Sequence, residues 1–412
     1  MRVLLISELN SDNLGDTSIY ICLKRLFELY GCQVKGLDLS RGDFFCTEKI
    51  DSNLNSIFLN LDENFSIPQR KKIGKFRIIS RKLLHLLPSY INLTIIWLKK
   101  KYLHLKRKKD WTRVVQNSDL VIFGGGALLM DNWIFPLSLF YGSKLVRDLD
   151  VPYGVFGCSV GNKFSRFGEK KIKEFLIGAK FIILRDNLSA LKLNELGFKE
   201  DGICVDPAIC TNEVINVKKK VCNHTLGMNI LSYVQHPNVK KENYFNYMKE
   251  MEETILKIDT QRELGISRIL IFNTGEYDDM IAAYTLYSKI KSKLKNLEIV
   301  LTDRLQSLHG LCKVINECDI VVGTRMHSCI ISKSYGIPII GISWDEKING
   351  FFDMIGLNEF CLNYDKFNAH AIVDRIKWIK DKNFVQESDI YELMTDLKMN
   401  IYHIVAKFSA HP

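Results

Sequence analysis

The chain has 412 residues, 47% hydrophobic and 25% charged, a composition that excludes disordered, collagen-like and low-complexity proteins. This length favours two domains over one. The eleven cysteines include no C-x-x-C pair, so they favour buried, reduced thiols of a cytoplasmic protein over a zinc or thioredoxin-like site.

Apolar stretches alternate with helical patterns through the first half of the chain. Residues 2–7 form the first predicted strand, which is too short to be a signal peptide, and a helix is expected at 17–30. No run reaches the roughly 18 apolar residues that a membrane span requires. Strands that alternate with helices predict a parallel sheet. Further strands are expected at 119–123, 152–156, 181–184 and 203–205.

Residues 70–109 carry fourteen Lys or Arg and no Asp or Glu, whereas the whole chain has a formal net charge of +10. We therefore expect a basic, amphipathic insertion at about 65–112. It suits an anionic membrane surface, where each nearby cation contributes roughly 1 kcal/mol. Two surface helices that pack on the domain are the alternative. Nucleic acid is not an expected partner, because no recognised module accompanies the charge.

The second half repeats the strand and helix alternation after a polar passage near 212–224. The predicted fold is α/β, with an N-terminal domain at 1–212, a C-terminal domain at 213–385 and a helix at 386–412 that could cross back to the first. Ligands bind beyond the carboxyl ends of strands in such sheets, so we expect the domains to face each other across an active-site cleft. Strands are expected at 225–230, 268–272, 299–301, 319–323 and 338–343.

Glycine and polar clusters follow several predicted strands of the first domain. The first cluster, Asn13–Asp16, can form a tight turn in which Asp16 caps the next helix, or a helix start that meets a polar ligand. The three successive glycines Gly124–Gly126 would let backbone amides approach a ligand. The segment Gly157–Gly161 suggests the same role more weakly. The candidate substrate-binding residues of these clusters are Asn13, Gly15, Asp16, Gly124, Gly125, Gly126, Ser159 and Gly161.

Arg185 and Asp186 follow the predicted strand at 181–184, where Asp186 is placed to cap the next helix. Arg185 has two possible roles. It can pair with a nearby carboxylate such as Asp206, or it can hold a substrate anion with two parallel hydrogen bonds, as a guanidinium is shaped to do.

The segment Gly323–His327 is the strongest local signal in the chain. It follows an apolar strand, so Thr324, Arg325 and His327 are expected at the carboxyl end of that strand, with His327 at the start of a helix. A guanidinium and an imidazole two residues apart, with helix amides behind them, form an anion pocket that can also transfer a proton. Downstream, Lys347 is a second cation able to reach the same site, or a solvated surface lysine.

Taken together, these clusters resemble the polysaccharide pyruvyl transferase family. The resemblance covers roughly residues 1–360, and the motifs occur in the family's order, so the set is specific although each motif alone is weak. They are Asn13–Asp16, Phe123–Gly126, Gly157–Gly161, Leu184–Ser189, Asp206-Pro207, Gly323–His327, Gly336–Pro338 and Trp344–Lys347.

The resemblance implies a fold similar to the GT-B glycosyltransferases, in which both domains are Rossmann-like. It also implies transfer of pyruvate from phosphoenolpyruvate to a sugar of a polysaccharide or its lipid-linked precursor, forming a cyclic ketal. Arg325 and His327 match the family's phosphoenolpyruvate element, and Arg185 is the matching position for an arginine of the first domain. As a hypothesis, His327 protonates the methylene carbon, and Asp16 or Asp206 assists as a base. Phosphoenolpyruvate is the donor substrate, and neither a metal nor another cofactor is expected.

The sequence departs from the family pattern at Gly227–Ser232, where an arginine is expected after the strand. The basic insertion is also outside the motif set, and it favours an enzyme peripheral to the inner face of the cell membrane.

Two alternative functions stay open. One is a GT-B glycosyltransferase that uses a nucleotide-sugar donor, although the second domain lacks the Glu-x7-Glu pair of many such enzymes. The other is a non-catalytic scaffold in polysaccharide assembly.

Overall fold

The computed structural model describes residues 1–39 except Asn10 and Asp12, residue 98, residues 109–218 except Trp133, and residues 224–232, 241–381 and 387–409. Most of the predicted insertion at 65–112, and with it the expected membrane contact, lies outside the described residues. Within the described part of the chain, no helix is both long enough and apolar enough to span a membrane.

The chain divides into two compact units. Unit 1 contains Met1–Asn10, Leu23–Ile203 and Asn400–Pro412, and unit 2 contains Ser11–Cys22 and Cys204–Met399. The segment Ser11–Cys22, which was predicted to lie in the first domain, therefore belongs to the second compact unit.

Unit 1 is built on a six-stranded parallel sheet, in the order β2-β1-β3-β4-β5-β6. Its core is formed by apolar side chains such as Leu4, Phe123 and Val155, because the strands are covered on both faces. The strands are β1 (Arg2–Ser7), β2 (Gln33–Asp38), β3 (Leu120–Leu129), β4 (Tyr153–Val160), β5 (Ile182–Leu184) and β6 (Gly202–Ile203).

Helices α1 and α12 contribute residues to both units, whereas α2 to α4 belong to unit 1. The first four described helices along the chain are α1 (Leu14–Leu29), α2 (Phe135–Asp148), α3 (Arg166–Leu176) and α4 (Asn187–Glu195). Those that follow are α5 (Thr211–Val214), α6 (Lys241–Thr260), α7 (Tyr277–Ile290), α8 (Leu308–Ile315), α9 (Met326–Ser334), α10 (Glu346–Met354), α11 (Ala369–Asp381) and α12 (Glu387–Ser409).

Unit 2 contains a second six-stranded parallel sheet, in the order β12-β11-β10-β7-β8-β9. In this order β7 separates β10 from β8, and the carboxyl ends of all three meet at one edge. Its strands are β7 (Thr225–Asn229), β8 (Arg268–Phe272), β9 (Glu298–Leu301), β10 (Ile320–Gly323), β11 (Ile339–Ser343) and β12 (Cys361–Asn363). The predicted α/β class with two parallel-sheet domains is confirmed.

Strands β3 and β4 are longer than the sequence predicts. The prediction ended them at residues 123 and 156, whereas β3 continues to Leu129 and β4 to Val160. Glycines usually weaken a strand, but here Gly125 and Gly126 adopt φ of 79° and 73° and lie beside a register shift between β3 and β4. The strand therefore passes through the glycines instead of ending at them.

Candidate functional site

The carboxyl end of β10 carries the segment that the sequence singled out. Arg325 is the N-cap residue of α9, and His327 lies in the first turn of that helix. Both side chains are largely buried. The change from strand to helix within three residues places the guanidinium and the imidazole at one edge of the sheet, as predicted.

Arg325 is held by a side chain from strand β7 and one from helix α7. Its Nε donates to Asp279 Oδ2 at 2.6 Å, while Asp279 Oδ1 accepts from the backbone amide of Ser232 at 2.8 Å. The backbone amide of Arg325 donates to Asn229 Oδ1 at 3.0 Å, and Asn229 Nδ2 donates to the carbonyl of Phe272 at 3.3 Å. Asp279 is fully buried, so this ion pair is shielded from water and its geometry is fixed.

Thr324 is held from two sides. Its hydroxyl lies 3.0 Å from the hydroxyl of Tyr247, and its carbonyl accepts from the indole Nε1 of Trp344 at 2.8 Å. The Tyr247 hydroxyl also accepts from the amide of Leu231, and burial raises the pKa of the phenol, which keeps it protonated. Thr324, a predicted substrate-binding residue, therefore has its hydroxyl engaged inside unit 2.

The imidazole of His327 lies between Gly15 and Asp206. A Cβ built on Gly15 would lie 2.2 Å from His327 Nδ1, so only a glycine fits against this ring. On the other side, Nε2 is 3.8 Å from Asp206 Oδ2 and has no hydrogen-bond partner among the described residues. The other Asp206 oxygen, Oδ1, accepts from the amide of Ala208. The imidazole thus faces a buried carboxylate without a hydrogen bond to it.

The turn before α1 explains how Gly15 reaches this position. The helix begins at Leu14, earlier than predicted, so Asp16 lies inside its first turn and does not cap it. Asn13 performs the local capping, because its Oδ1 accepts from the amide of Gly15 at 3.1 Å. The amide of Leu14 donates to the carbonyl of Thr274, which follows β8, at 2.8 Å. This bond ties the helix start to unit 2.

Lys347 lies in the first turn of α10. Its Nζ is 3.6 Å from Asp345 Oδ2 and 5.3 Å from the centre of the Trp344 ring. The predicted second cation is thus placed beside the aromatic residue that supports Thr324.

The glycines of unit 1 have a packing reason to be glycine. A Cβ on Gly124 would lie 2.8 Å from Leu5 Cδ1 and 3.0 Å from Leu23 Cδ1. A Cβ on Gly161 would lie 3.1 Å from the Cβ of Met130. Ser159 is buried, and its hydroxyl has no hydrogen-bond partner among the described residues. These contacts account for Gly124 and Gly161 by close packing alone, whereas a ligand role for the cluster stays a prediction.

Arg185 is buried directly after β5. Its Nε is 3.9 Å from Asp186 Oδ2, and its backbone amide donates to the carbonyl of Cys158. Asp186 is the predicted N-cap of α4, and this is confirmed, since its Oδ1 accepts from the amide of Ser189 at 2.6 Å. Asp186 is therefore one carboxylate that lies beside Arg185, and the role of Arg185 in holding a substrate anion stays a prediction.

Sequence reasoning missed Asp279, Asn229 and Tyr247. Asp279 follows another aspartate in the first turn of α7, where acidic residues are common for reasons of helix stability alone. Asn229 offered a usable signal, because a fully buried strand rarely carries an amide without a partner for it. Among the described residues, no group of three or more His, Cys, Asp or Glu side chains is arranged to hold a metal ion.

Solved structures share this architecture at low sequence identity. A protein assigned as a UDP-N-acetylglucosamine 2-epimerase from Listeria monocytogenes matches with a TM-score of 0.57 and 13% identity, covering 100% of this chain and 96% of that one. The UDP-GlcNAc 2-epimerase of Neisseria meningitidis gives 0.54 and 10%, covering 99% and 100%. The trehalose-6-phosphate synthase OtsA gives 0.56 and 8%, covering 99% of each chain. The fold is therefore that of the GT-B glycosyltransferases and related epimerases.

The family model for polysaccharide pyruvyl transferases matches residues 13–346. The chain belongs to the polysaccharide pyruvyl transferase family. A curated relative, the amylovoran biosynthesis protein AmsJ of Erwinia amylovora, is 29% identical over 104 residues. That match spans 25% of this chain and 24% of AmsJ. The range that the family model matches, residues 13–346, includes both the start of α1 and the Arg325/His327 segment.

Proposed function

We propose that this protein transfers the pyruvyl group of phosphoenolpyruvate to two hydroxyls of a sugar and forms a cyclic ketal in polysaccharide biosynthesis. The observation that carries the proposal is the environment of the His327 imidazole. Its Nε2 is buried, has no hydrogen-bond partner among the described residues and faces Asp206 at 3.8 Å, two residues from a fixed arginine. Family membership and the relationship to AmsJ support the same role.

Arg325 provides the positive charge that such a donor requires. Phosphoenolpyruvate carries a carboxylate and a phosphate, and a guanidinium held near the start of a helix suits both kinds of anion.

His327 would supply the proton that starts the reaction. In its protonated form the imidazolium faces the Asp206 carboxylate, which stabilises the charge. Transfer of this proton to the methylene carbon forms a C–H bond and leaves a cation at C2, which the attached oxygen stabilises. A sugar hydroxyl then forms a C–O bond at C2 and releases its proton, and the now neutral imidazole can take that proton up.

The second half of the reaction closes the ring. The bond between C2 and the phosphate oxygen breaks, and phosphate leaves with the electron pair. A second hydroxyl of the same sugar attacks C2, and its proton leaves with the phosphate. One proton has then been delivered to carbon and two have been lost from hydroxyls, so the reaction balances without an oxidant or a reductant.

The test is to incubate the purified chain with phosphoenolpyruvate and a panel of simple hexosides, with phosphate release and the acceptor mass as readouts. The expected product is heavier than its acceptor by pyruvate less one water. His327→Gln should lower the rate of phosphate release at least about 100-fold, the low end of general-acid contributions. Turnover of UDP-sugars without consumption of phosphoenolpyruvate would replace the proposal with a glycosyltransferase activity. A His327→Gln rate equal to that of the wild type would refute the role of His327.

A further inference from the structure

Asp279 lies at the centre of the contacts that hold Arg325. It is fully buried in the first turn of α7, and each of its two carboxylate oxygens accepts a different hydrogen bond. One comes from Arg325 Nε at 2.6 Å, and the other from the amide of Ser232 at 2.8 Å. We infer that Asp279 is a positioning residue that fixes the guanidinium of Arg325 for the donor anion, an inference that rests on the proposed function.

The strand order makes this contact possible. Asp279 follows β8 and Arg325 follows β10, and β7 lies between them in the sheet. Ser232 comes from the segment after β7, so the carboxylate reaches across one strand to the arginine and bonds to the intervening segment on the way. Asn229, at the end of β7, holds the backbone of Arg325 at the same time. The arginine is thus fixed at both its backbone and its Nε.

This arrangement would act on binding of the donor. An arginine side chain has several rotatable bonds, and holding it in one orientation before the anion arrives reduces the entropy lost on binding. The carboxylate also compensates the charge of a guanidinium that is mostly buried. A substitution of Asp279 should therefore raise KM for phosphoenolpyruvate more than it lowers kcat.

A purely structural role for Asp279 is the competing explanation, and unit 2 offers a matched control. Asp259, near the end of α6, is also a buried carboxylate, and it accepts from the backbone amides of Lys295, Asn296 and Leu297. These amides precede β9, at the opposite edge of the sheet from Arg325. Asp259→Asn therefore removes a comparable charge without touching the arginine.

The first experiment compares Asp279→Asn and Asp259→Asn by kinetics and thermal unfolding. An asparagine at position 279 can accept from Ser232 or from Arg325, but its amide nitrogen cannot accept the second bond. We expect Asp279→Asn to raise KM for phosphoenolpyruvate about 10-fold or more, and Asp259→Asn to leave KM unchanged while lowering the unfolding temperature. Equal KM values for the two variants would overturn the inference.

The second experiment does not depend on activity. In ¹⁵N NMR spectra, the Arg325 Nε–H signal, assigned by its loss in Arg325→Lys, should exchange slowly with water in the wild-type protein. Asp279→Asn should shift it and accelerate its exchange, whereas Asp259→Asn should not. An Arg325 signal that exchanges at the rate of exposed arginines would overturn the inference even if no Asp279 variant folds. A slowly exchanging signal in a protein that consumes no phosphoenolpyruvate would instead refute the proposed function and leave the Asp279 contact intact.

Discussion

Gly15→Ala is the substitution that most directly tests the environment of His327. The added Cβ would lie 2.2 Å from His327 Nδ1, 2.3 Å from Cγ and 2.5 Å from its Cβ. Ordinary contacts between such atoms are about 3.5 Å, so the two residues must separate by about 1 Å. Rotation of the imidazole cannot relieve the contact with the His327 Cβ, which is attached to the backbone. The helix start, the Gly323–His327 segment or both must therefore move.

The expected effect on the reaction is larger than the effect on stability. A displacement of about 1 Å of a catalytic group can lower the rate about 100-fold. Overpacking costs about 1–3 kcal/mol, and alanine in a helix returns about 1 kcal/mol relative to glycine, so the free energy of unfolding should fall by about 0–2 kcal/mol. Gly15→Ala should thus be a folded protein with a kcat/KM for phosphoenolpyruvate about 100-fold below that of the wild type.

The assay is phosphate release at varied phosphoenolpyruvate, paired with thermal unfolding of the same samples. Gly142→Ala is the matched control, because Gly142 lies in the helix α2 and its added Cβ would meet Phe123 Cε1 at an ordinary 3.4 Å. This control should keep wild-type kinetics. A Gly15→Ala protein with wild-type kcat/KM would refute the reasoning, since it would mean that the imidazole tolerates displacement or does not take part in the reaction.

Two further predictions concern stability and reactivity. Tyr247→Phe leaves the amide of Leu231 and the hydroxyl of Thr324 buried without this partner. It should lower the free energy of unfolding, measured by urea titration, by about 1–3 kcal/mol. Adding Thr324→Val should restore part of the loss, and strictly additive losses in the double variant would contradict the pairing of the two hydroxyls. Partial burial raises the pKa of the Cys361 thiol to about 12, so the thiolate is scarce at pH 8. Iodoacetamide should therefore modify the Cys361 peptide far more slowly than in an unfolded control, and equal rates would contradict the raised pKa.

The sequence predicts the parts of the site that depend on local order along the chain. The apolar strand before Gly323 requires its carboxyl end to lie at the sheet edge, and this placed Arg325 and His327 correctly. The helix cap at Asp186 was predictable for the same reason, because a cap depends on residues only a few positions apart.

The partners of these residues could not be predicted in this way. Asp279 is 46 positions from Arg325 in the chain, and the two side chains meet because only β7 lies between the strands that precede them. Strand order is decided by packing of the whole sheet and leaves no mark in the local pattern. The early end predicted for β3 has a different cause, since the glycines at 124–126 indicate a turn locally but are accommodated within the strand by positive φ at two of them.

The most informative disagreement concerns the start of α1. By its position in the chain, the Asn13–Asp16 turn follows β1 and was expected to belong to the first domain, yet Ser11–Cys22 belongs to unit 2. The physical reasons are the hydrogen bond from the Leu14 amide to the carbonyl of Thr274 and the contact of Gly15 with His327. Gly15, which has no side chain, therefore meets two structural requirements: a tight helix start and close approach to an imidazole. The glycine of this turn therefore packs against the His327 ring in unit 2, and its predicted role in substrate binding stays a prediction.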